Sequence, residues 1–215
     1  MSSQWAMTSA SDGDMRLEAE GALERRARVT ATAWTTTRQV HAATVVEVDA
    51  ALGPVECDAD AIVTSARGVP IAMLGADCAL VALVSREGPV GIAHAGWKGL
   101  VAGVIENTVT ALRALGANEI TALCSPMIHP ECYEFSPDDL SDVIDHLGAG
   151  VRGKASSGKP ALDLPAGVNA ALLRSGVANT TVLGGCTACE GGWYSWRARK
   201  EAARHALVCW RPDDA

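Results

Sequence analysis

Three side chains able to bind a soft metal stand at the ends of apolar runs. His41 precedes "AATVVEV", Cys78 closes the "GADC" turn after "VPIAML", and His94 ends "PVGIAHA". They are far apart along the chain, so no zinc-finger spacing joins them, but strand ends of one sheet can converge. Two imidazoles and a thiolate would hold zinc and leave its fourth position open. Each also has a plainer reading: Cys78 as a buried thiol, His41 and His94 as strand-end histidines with one satisfied hydrogen bond. Asp77 adjoins the thiol. In "GWKGLVAG", Lys98 lies in the first turn of a helical pattern between Gly96 and Gly99. Free N–H groups and a cation there could receive an anion, or the lysine is simply solvated. Trp97 and Trp193 offer flat faces to a base. "GGWYSWRARK" sets Arg197 among aromatics, either as an anion contact at a pocket rim or as a packed guanidinium. "CTAC", Cys186 to Cys189, is a lone CxxC and poor evidence for structural zinc without a second pair. His129, His146 and His205 lack supporting context and read as surface or core histidines.

The elements that must position these groups alternate irregularly. "RLEAEGALERRARV" reads as a charged, weakly amphipathic helix. "ATVVEVD", "VPIAML", "ALVALVS" and the run ending at His94 read as strands, as do "EITALCSPMI" and "HALVCWR", and "NTTVLGGCTAC" reads as a strand running into a turn. "GPVECDADAIVTSARG" reads as a connection holding a short helix or strand. Leu100, Val104, Ile105, Thr108, Leu112 and Leu115 recur at three and four, predicting one helix from Leu100 capped by Gly116. "SPDDLSDVIDHLG" and "LDLPAGVNAALLRSGV" predict helices capped by Ser136 and Asp163, with Pro137 and Pro165 in their first turns. Residues 1 to about 15 are expected to be disordered, and "GAGVRGKASSGKP" at 148–160 to be a flexible loop. No 20–50 residue repeat appears.

Composition narrows the function classes. With 215 residues, 48% of them hydrophobic, the chain can bury a sizeable core as one domain. The net charge of −7 and the scattered basic residues argue against a nucleic-acid partner. The polar, acidic N-terminus has no leader pattern, and the longest apolar stretch, 69–84, is broken by Asp77, so a cytoplasmic protein with no membrane partner is expected. Seven cysteines without a leader argue against a disulfide framework.

Taken in order, "QVHAATV", "GADCALVAL", "IAHAGWKGLVAGVIENTV", "SPMIHPECYEF", "LDLPAGVNAALLRSGV" and "CTACEGGWYSWRARK" resemble the laccase-domain family, also called YfiH-like or polyphenol-oxidase. The resemblance covers roughly residues 38–210 and is most specific at "ADC" and "HAGWKG". It implies a mixed α/β fold of packed mixed sheets flanked by helices, similar to a toxin deamidase, over a single domain spanning 1–215. Its metal ligands, carried over singly, are His41, Cys78 and His94. The family's upstream "TRxGGxS" segment has no counterpart here: "TTTR" runs straight into "QVH", so the N-terminal part is shortened. The family's "YSYRR" is "YSWRA", which keeps Arg197 and loses the next arginine to Ala198.

The implied activity is that of a zinc-dependent purine nucleoside phosphorylase acting on adenosine, inosine or methylthioadenosine, with adenosine deaminase activity. Zinc, with copper as the alternative, would acidify a bound water. Cys78, His94 and Asp77 are the expected catalytic residues, Asp77 as proton shuttle. Lys98, Arg197 and Trp97 are expected to bind phosphate and nucleoside. Three alternatives stay open: a metal-free hydrolase or amidase with Cys78 as nucleophile and His94 as base, a copper oxidoreductase, which one Cys and two His supply poorly, and a non-catalytic family member.

Overall fold

The structure of the chain, a computed structural model, describes residues 3–213. Its centre is a six-stranded mixed sheet. The order is β12 (Asn179–Val182), β9 (Ile120–Cys124), β7 (Ala79–Ser85), β8 (Val90–Ala95), β5 (Ala61–Thr64) and β3 (Val45–Glu47). β7 pairs antiparallel with β8 and β9, β8 with β5, while β12 and β3 run parallel to their neighbours. A second sheet, β1 (Gln4–Met7), β13 (His205–Trp210) and β6 (Ile71–Gly75), is antiparallel throughout. Two small ribbons complete the strands: β2 (Thr36–Arg38) parallel to β4 (Pro54–Asp58), and β10 (Arg152–Lys154) antiparallel to β11 (Pro160–Leu162).

The layers follow from the strand sequences. β7 and β8 carry near-continuous apolar runs because both of their faces are covered. One face, with Val63, Val81, Leu83 and Ala93, packs on α3 (Val104–Ala114), α4 (Pro137–Leu147) and α5 (Leu164–Arg174). The opposite face, with Ile62, Leu80, Ala82 and Ile92, packs on Ile71 and Met73 of β6 and Leu207 and Cys209 of β13. The result is helix, sheet and sheet, the mixed α/β architecture expected. Ser136 and Asp163 cap α4 and α5 as their sequences require, accepting from the N–H groups of Asp139 and Ala166.

Several segments differ from expectation. Residues 4–7, placed in a disordered N-terminus, form β1 against β13, and Met15 is fully buried. The backbone ladder with β13 overrides the polar local composition. Residues 1, 2, 214 and 215, part of the expected 1–215 domain, lie outside the described residues. The predicted connection at 53–68 holds two strands, and its β5 is an interior strand of the main sheet. The flexible loop expected at 148–160 is the β10–β11 hairpin, tied by Phe135 N to Pro160 O and Leu162 N to Tyr133 O. The N-terminal helix is confined to α1 (Ala22–Val29). The helix expected from Leu100 is two helices, α2 (Trp97–Ala102) and α3, because Gly103 between them takes φ +86°. The apolar period runs through the break, so spacing alone cannot reveal it. Among the described residues no helix is long and apolar enough to cross a membrane.

Candidate metal centre and active-site cleft

Antiparallel order brings the C-terminal end of β8 beside the N-terminal ends of β7 and β5, and β3 begins at the same end. His94 is the fifth residue of β8, Cys78 immediately precedes β7, Asp60 immediately precedes β5, and His41 lies in the loop before β3. Ligand atoms of His41, Cys78 and His94 all fall within 4.8 Å of one another. Cys78 Sγ is 3.8 Å from His41 Nε2, and the two imidazoles meet edge to face at 4.8 Å between centroids.

Asp60 organises this triad and is the residue that sequence reasoning missed. Its carboxylate is fully buried. Oδ2 accepts from the N–H groups of Val40 (3.0 Å) and Ala42 (2.8 Å), and Oδ1 from that of His41 (2.9 Å). These bonds hold His41 at φ +61°, a left-handed conformation uncommon outside glycine. Oδ1 also lies 2.8 Å from His94 Nδ1. An ionised Asp60 fixes the proton on Nδ1 and leaves Nε2 of His94 as the nitrogen available to a metal, as carboxylates do behind ligating histidines. Burial opposes the charge on Asp60, but His94 and the backbone N–H groups of Ala42 and Val40 outweigh it and hold the carboxyl below its ordinary range. "DAD" before an apolar run is an unremarkable sequence, so nothing in spacing or composition marks Asp60.

The thiol and His94 perturb one another. Burial alone would raise Cys78 and lower His94. The charges they present to each other, with His41 beside the thiol and Asp60 behind His94, prevail. Cys78 is held down to about 6 and His94 up to about 9. Gly96 completes the close packing: a Cβ there would lie 2.9 Å from His41 Cδ2 and 3.0 Å from Cys78 Sγ, so any side chain would displace one of these two groups.

Asp77 sits at φ +97°, and its side chain knits distant loops to the turn that carries Cys78. Oδ1 accepts from Thr187 Oγ1 and Ser195 Oγ, both at 2.7 Å, and Oδ2 from the Arg197 N–H at 2.6 Å. The loop of Gln39 is fastened to β6 in the same way, its amide bonding the Leu74 N–H and C=O at 3.0 and 2.8 Å. Arg197 is the second residue of α6 (Trp196–Arg199), and its guanidinium lies over the Tyr133 ring at 4.9 Å. The Lys98 ammonium lies 5.5 Å from the Trp97 ring centroid, and Trp97 meets Phe135 edge to face.

All seven expected site residues line one cleft of about 1260 Å³. Trp193 does not line it and packs on the buried His205; the half-exposed Trp196 lines the cleft instead. Six basic side chains, Arg16, Arg26, Arg38, Lys98, Arg197 and Arg204, face three acidic ones, Glu18, Glu56 and Asp77. Folding thus gathers positive charge that looks scattered in sequence on a net-negative chain. Part of it is neutralised locally, since Arg16 pairs with Asp14 and Arg38 with Asp58. Because α2 has only six residues, anion attraction at its start rests on Lys98 more than on a helix dipole.

Comparison with known proteins agrees with this architecture. The family model described as multi-copper polyphenol oxidoreductase laccase matches residues 8–212. A purine nucleoside phosphorylase of Streptomyces griseus is 39% identical over 180 residues, 80% of this chain and 72% of that one. One from Streptomyces coelicolor is 38% identical over 177 residues, with the same shares. Among solved structures, YlmD from Geobacillus stearothermophilus superposes with a TM-score of 0.81 at 25% identity, covering 98% of this chain and 92% of its own. A Neisseria meningitidis protein gives 0.80 at 27%, covering 93% and 86%. The chain therefore belongs to the laccase-domain, YfiH-like family, among whose members are proteins named purine nucleoside phosphorylase.

Proposed function

We propose that this chain is a zinc-dependent purine nucleoside phosphorylase, cleaving adenosine or inosine with inorganic phosphate, and that the same centre deaminates adenosine. The observation that carries the reading is the convergence of His41, Cys78 and His94 at the base of a cleft that also presents Lys98 and Arg197. The donor set fits zinc: two imidazoles and one thiolate, with Asp60 orienting one imidazole. When bound, the metal supplies a Lewis acid at its open position.

The chain's own groups do the remaining work. Arg197 and Lys98 hold the phosphate against the nucleoside sugar, so that the nucleophile enters at C1′ as the bond to the purine breaks. Trp97, braced by Phe135, gives the purine a flat surface. Asp77 already accepts three hydrogen bonds, which suits positioning of Arg197 and the Cys78 turn better than proton transfer. The names of the Streptomyces relatives support phosphorolysis. The decisive experiment incubates zinc-loaded protein with adenosine and with inosine, each with and without phosphate. Free base and ribose 1-phosphate should appear only with phosphate, and inosine should form from adenosine without it. No base release under any condition would refute phosphorolysis.

A second reading rests on the order Cys78, His94, Asp60, which is also that of a thiol hydrolase with an oriented base. Activity that survives metal removal and dies on alkylation of Cys78 would select it.

A further inference from the structure

A second thiol cluster lies outside this triad. Cys186 and Cys189 occupy the turn after β12, and the fold brings Cys132, from a single 3-10 turn at Pro130–Cys132, beside them. The three sulfurs all lie within 4.8 Å of one another. Zn–S bonds of about 2.3 Å put tetrahedral sulfurs about 3.8 Å apart, so closing around a cation needs a contraction of about an ångström at most. Cys186 is 1% exposed, and its Sγ accepts the His129 N–H at 3.4 Å, the kind of backbone bond that steadies a ligating thiolate. Glu131 Oε1 is 3.9 Å from Cys189 Sγ and 3.7 Å from His129 Nδ1, so a carboxylate stands at the edge of the cluster with an imidazole behind it. Three thiols are also an odd set for disulfide chemistry: one bond would strand the third, whereas a tetrahedral cation uses all of them.

We propose that Cys132, Cys186 and Cys189 bind a second, structural zinc ion separate from the His41–Cys78–His94 centre, its fourth position filled by water or by a rotation of the nearby Glu131 side chain. The ion would clamp two loops that already meet through the Thr187 N–H to Met127 C=O bond of 3.1 Å. One loop lines the cleft and the other supports a residue that lines it. Tyr133, next to Cys132, lies under the Arg197 guanidinium, and Thr187, next to Cys186, bonds Asp77. The second ion thereby stiffens the support on which Arg197 and the Cys78 turn rest. The lone CxxC of the sequence becomes a three-thiol site only because the chain folds Cys132 onto it.

The test is a metal count on reduced protein reconstituted with zinc and then desalted, for the native chain and for Cys78→Ala. The native chain should hold about two zinc ions and Cys78→Ala about one. Cobalt(II)-loaded Cys78→Ala should retain thiolate-to-metal charge-transfer absorption, and Cys132→Ser/Cys189→Ser added to it should remove both ion and band. About one ion on the native chain and none on Cys78→Ala would overturn the proposal. So would a Cys186–Cys189 disulfide, seen by mass in protein isolated without reductant, that persists in the zinc-loaded form. Because Cys78→Ala leaves the second cluster intact, the count remains decisive even if the double variant fails to fold.

Discussion

At the scale of single residues, Asp60 has the widest reach, because one buried carboxylate sets both a loop and a tautomer. Asn at this position keeps the volume but offers one acceptor oxygen to four donors, and its NH₂ group confronts N–H groups now bonded to Oδ2. Loss of such a partner weakens metal binding about 10- to 100-fold. Asp60→Asn should show that loss in competition with a chromogenic chelator, together with reduced kcat; affinity equal to that of the native chain would remove Asp60 from the site's design. Cys78 gives a pH signature. With its thiol held down to about 6, it is deprotonated above that pH and protonated below it. In metal-free protein, alkylation followed at the Cys78 peptide should rise with a midpoint near pH 6 and be nearly complete in its pH response by pH 7. A midpoint near the ordinary thiol value of about 8.5 would mean that His94 and His41 do not hold the thiolate. The triad was accessible from the residue types at strand ends, sharpened by the family motifs. Asp60 was not, because its significance lies in four partners brought to it by the fold.

At the scale of elements, strands and caps were legible wherever local chemistry is unambiguous. β7 and β8 announce themselves by β-branched and apolar density, and α4 and α5 by Ser136, Asp163 and the prolines behind them. The register of 3.6 carried on through Gly103, so the division between α2 and α3 stayed hidden. The β10–β11 hairpin was hidden too: its three-residue strands carry Gly, Lys and Pro, and hydrogen bonds with the loop of Phe135 and Tyr133 fasten them. Two glycines show how backbone geometry serves the site. Gly103→Ala forces a side chain into the left-handed region at φ +86°, which costs about 1–2 kcal/mol. Urea unfolding should report that loss, and an unchanged midpoint would show that the α2–α3 break relaxes freely. Gly96→Ala acts differently. Its φ of −74° suits alanine, but the new methyl would strike His41 and Cys78. We expect metal occupancy and activity to collapse while the unfolding midpoint of the metal-free protein moves little, and full metal occupancy would contradict the packing argument.

Across the whole molecule, the two sheets and the helical layer supply a frame of buried strands, while the chemical groups gather at one end of it on a strand end, two short helices and the loops of His41, Asp77 and Cys78. The loops are fixed by buried acceptors, Asp60 under the His41 loop and Asp77 under the segments of Thr187 and Ser195, so their order is coupled to the charges placed among them. Metal binding should therefore register as stability of the entire fold. An ion present at about 100 times its Kd contributes about 2.7 kcal/mol per site. For a chain of this length each kcal/mol corresponds to about 2–4 °C in Tm, so one occupied site should raise Tm by about 5–11 °C. Zinc added to chelator-treated protein should produce a shift of that size or larger in a thermal melt, and Cys78→Ala should forfeit the share that belongs to the His41–Cys78–His94 centre. A melt indifferent to zinc would mean that the thiolate and imidazoles at the sheet end do not hold the ion in the native state, and the phosphorolytic reading of the cleft would lose its foundation.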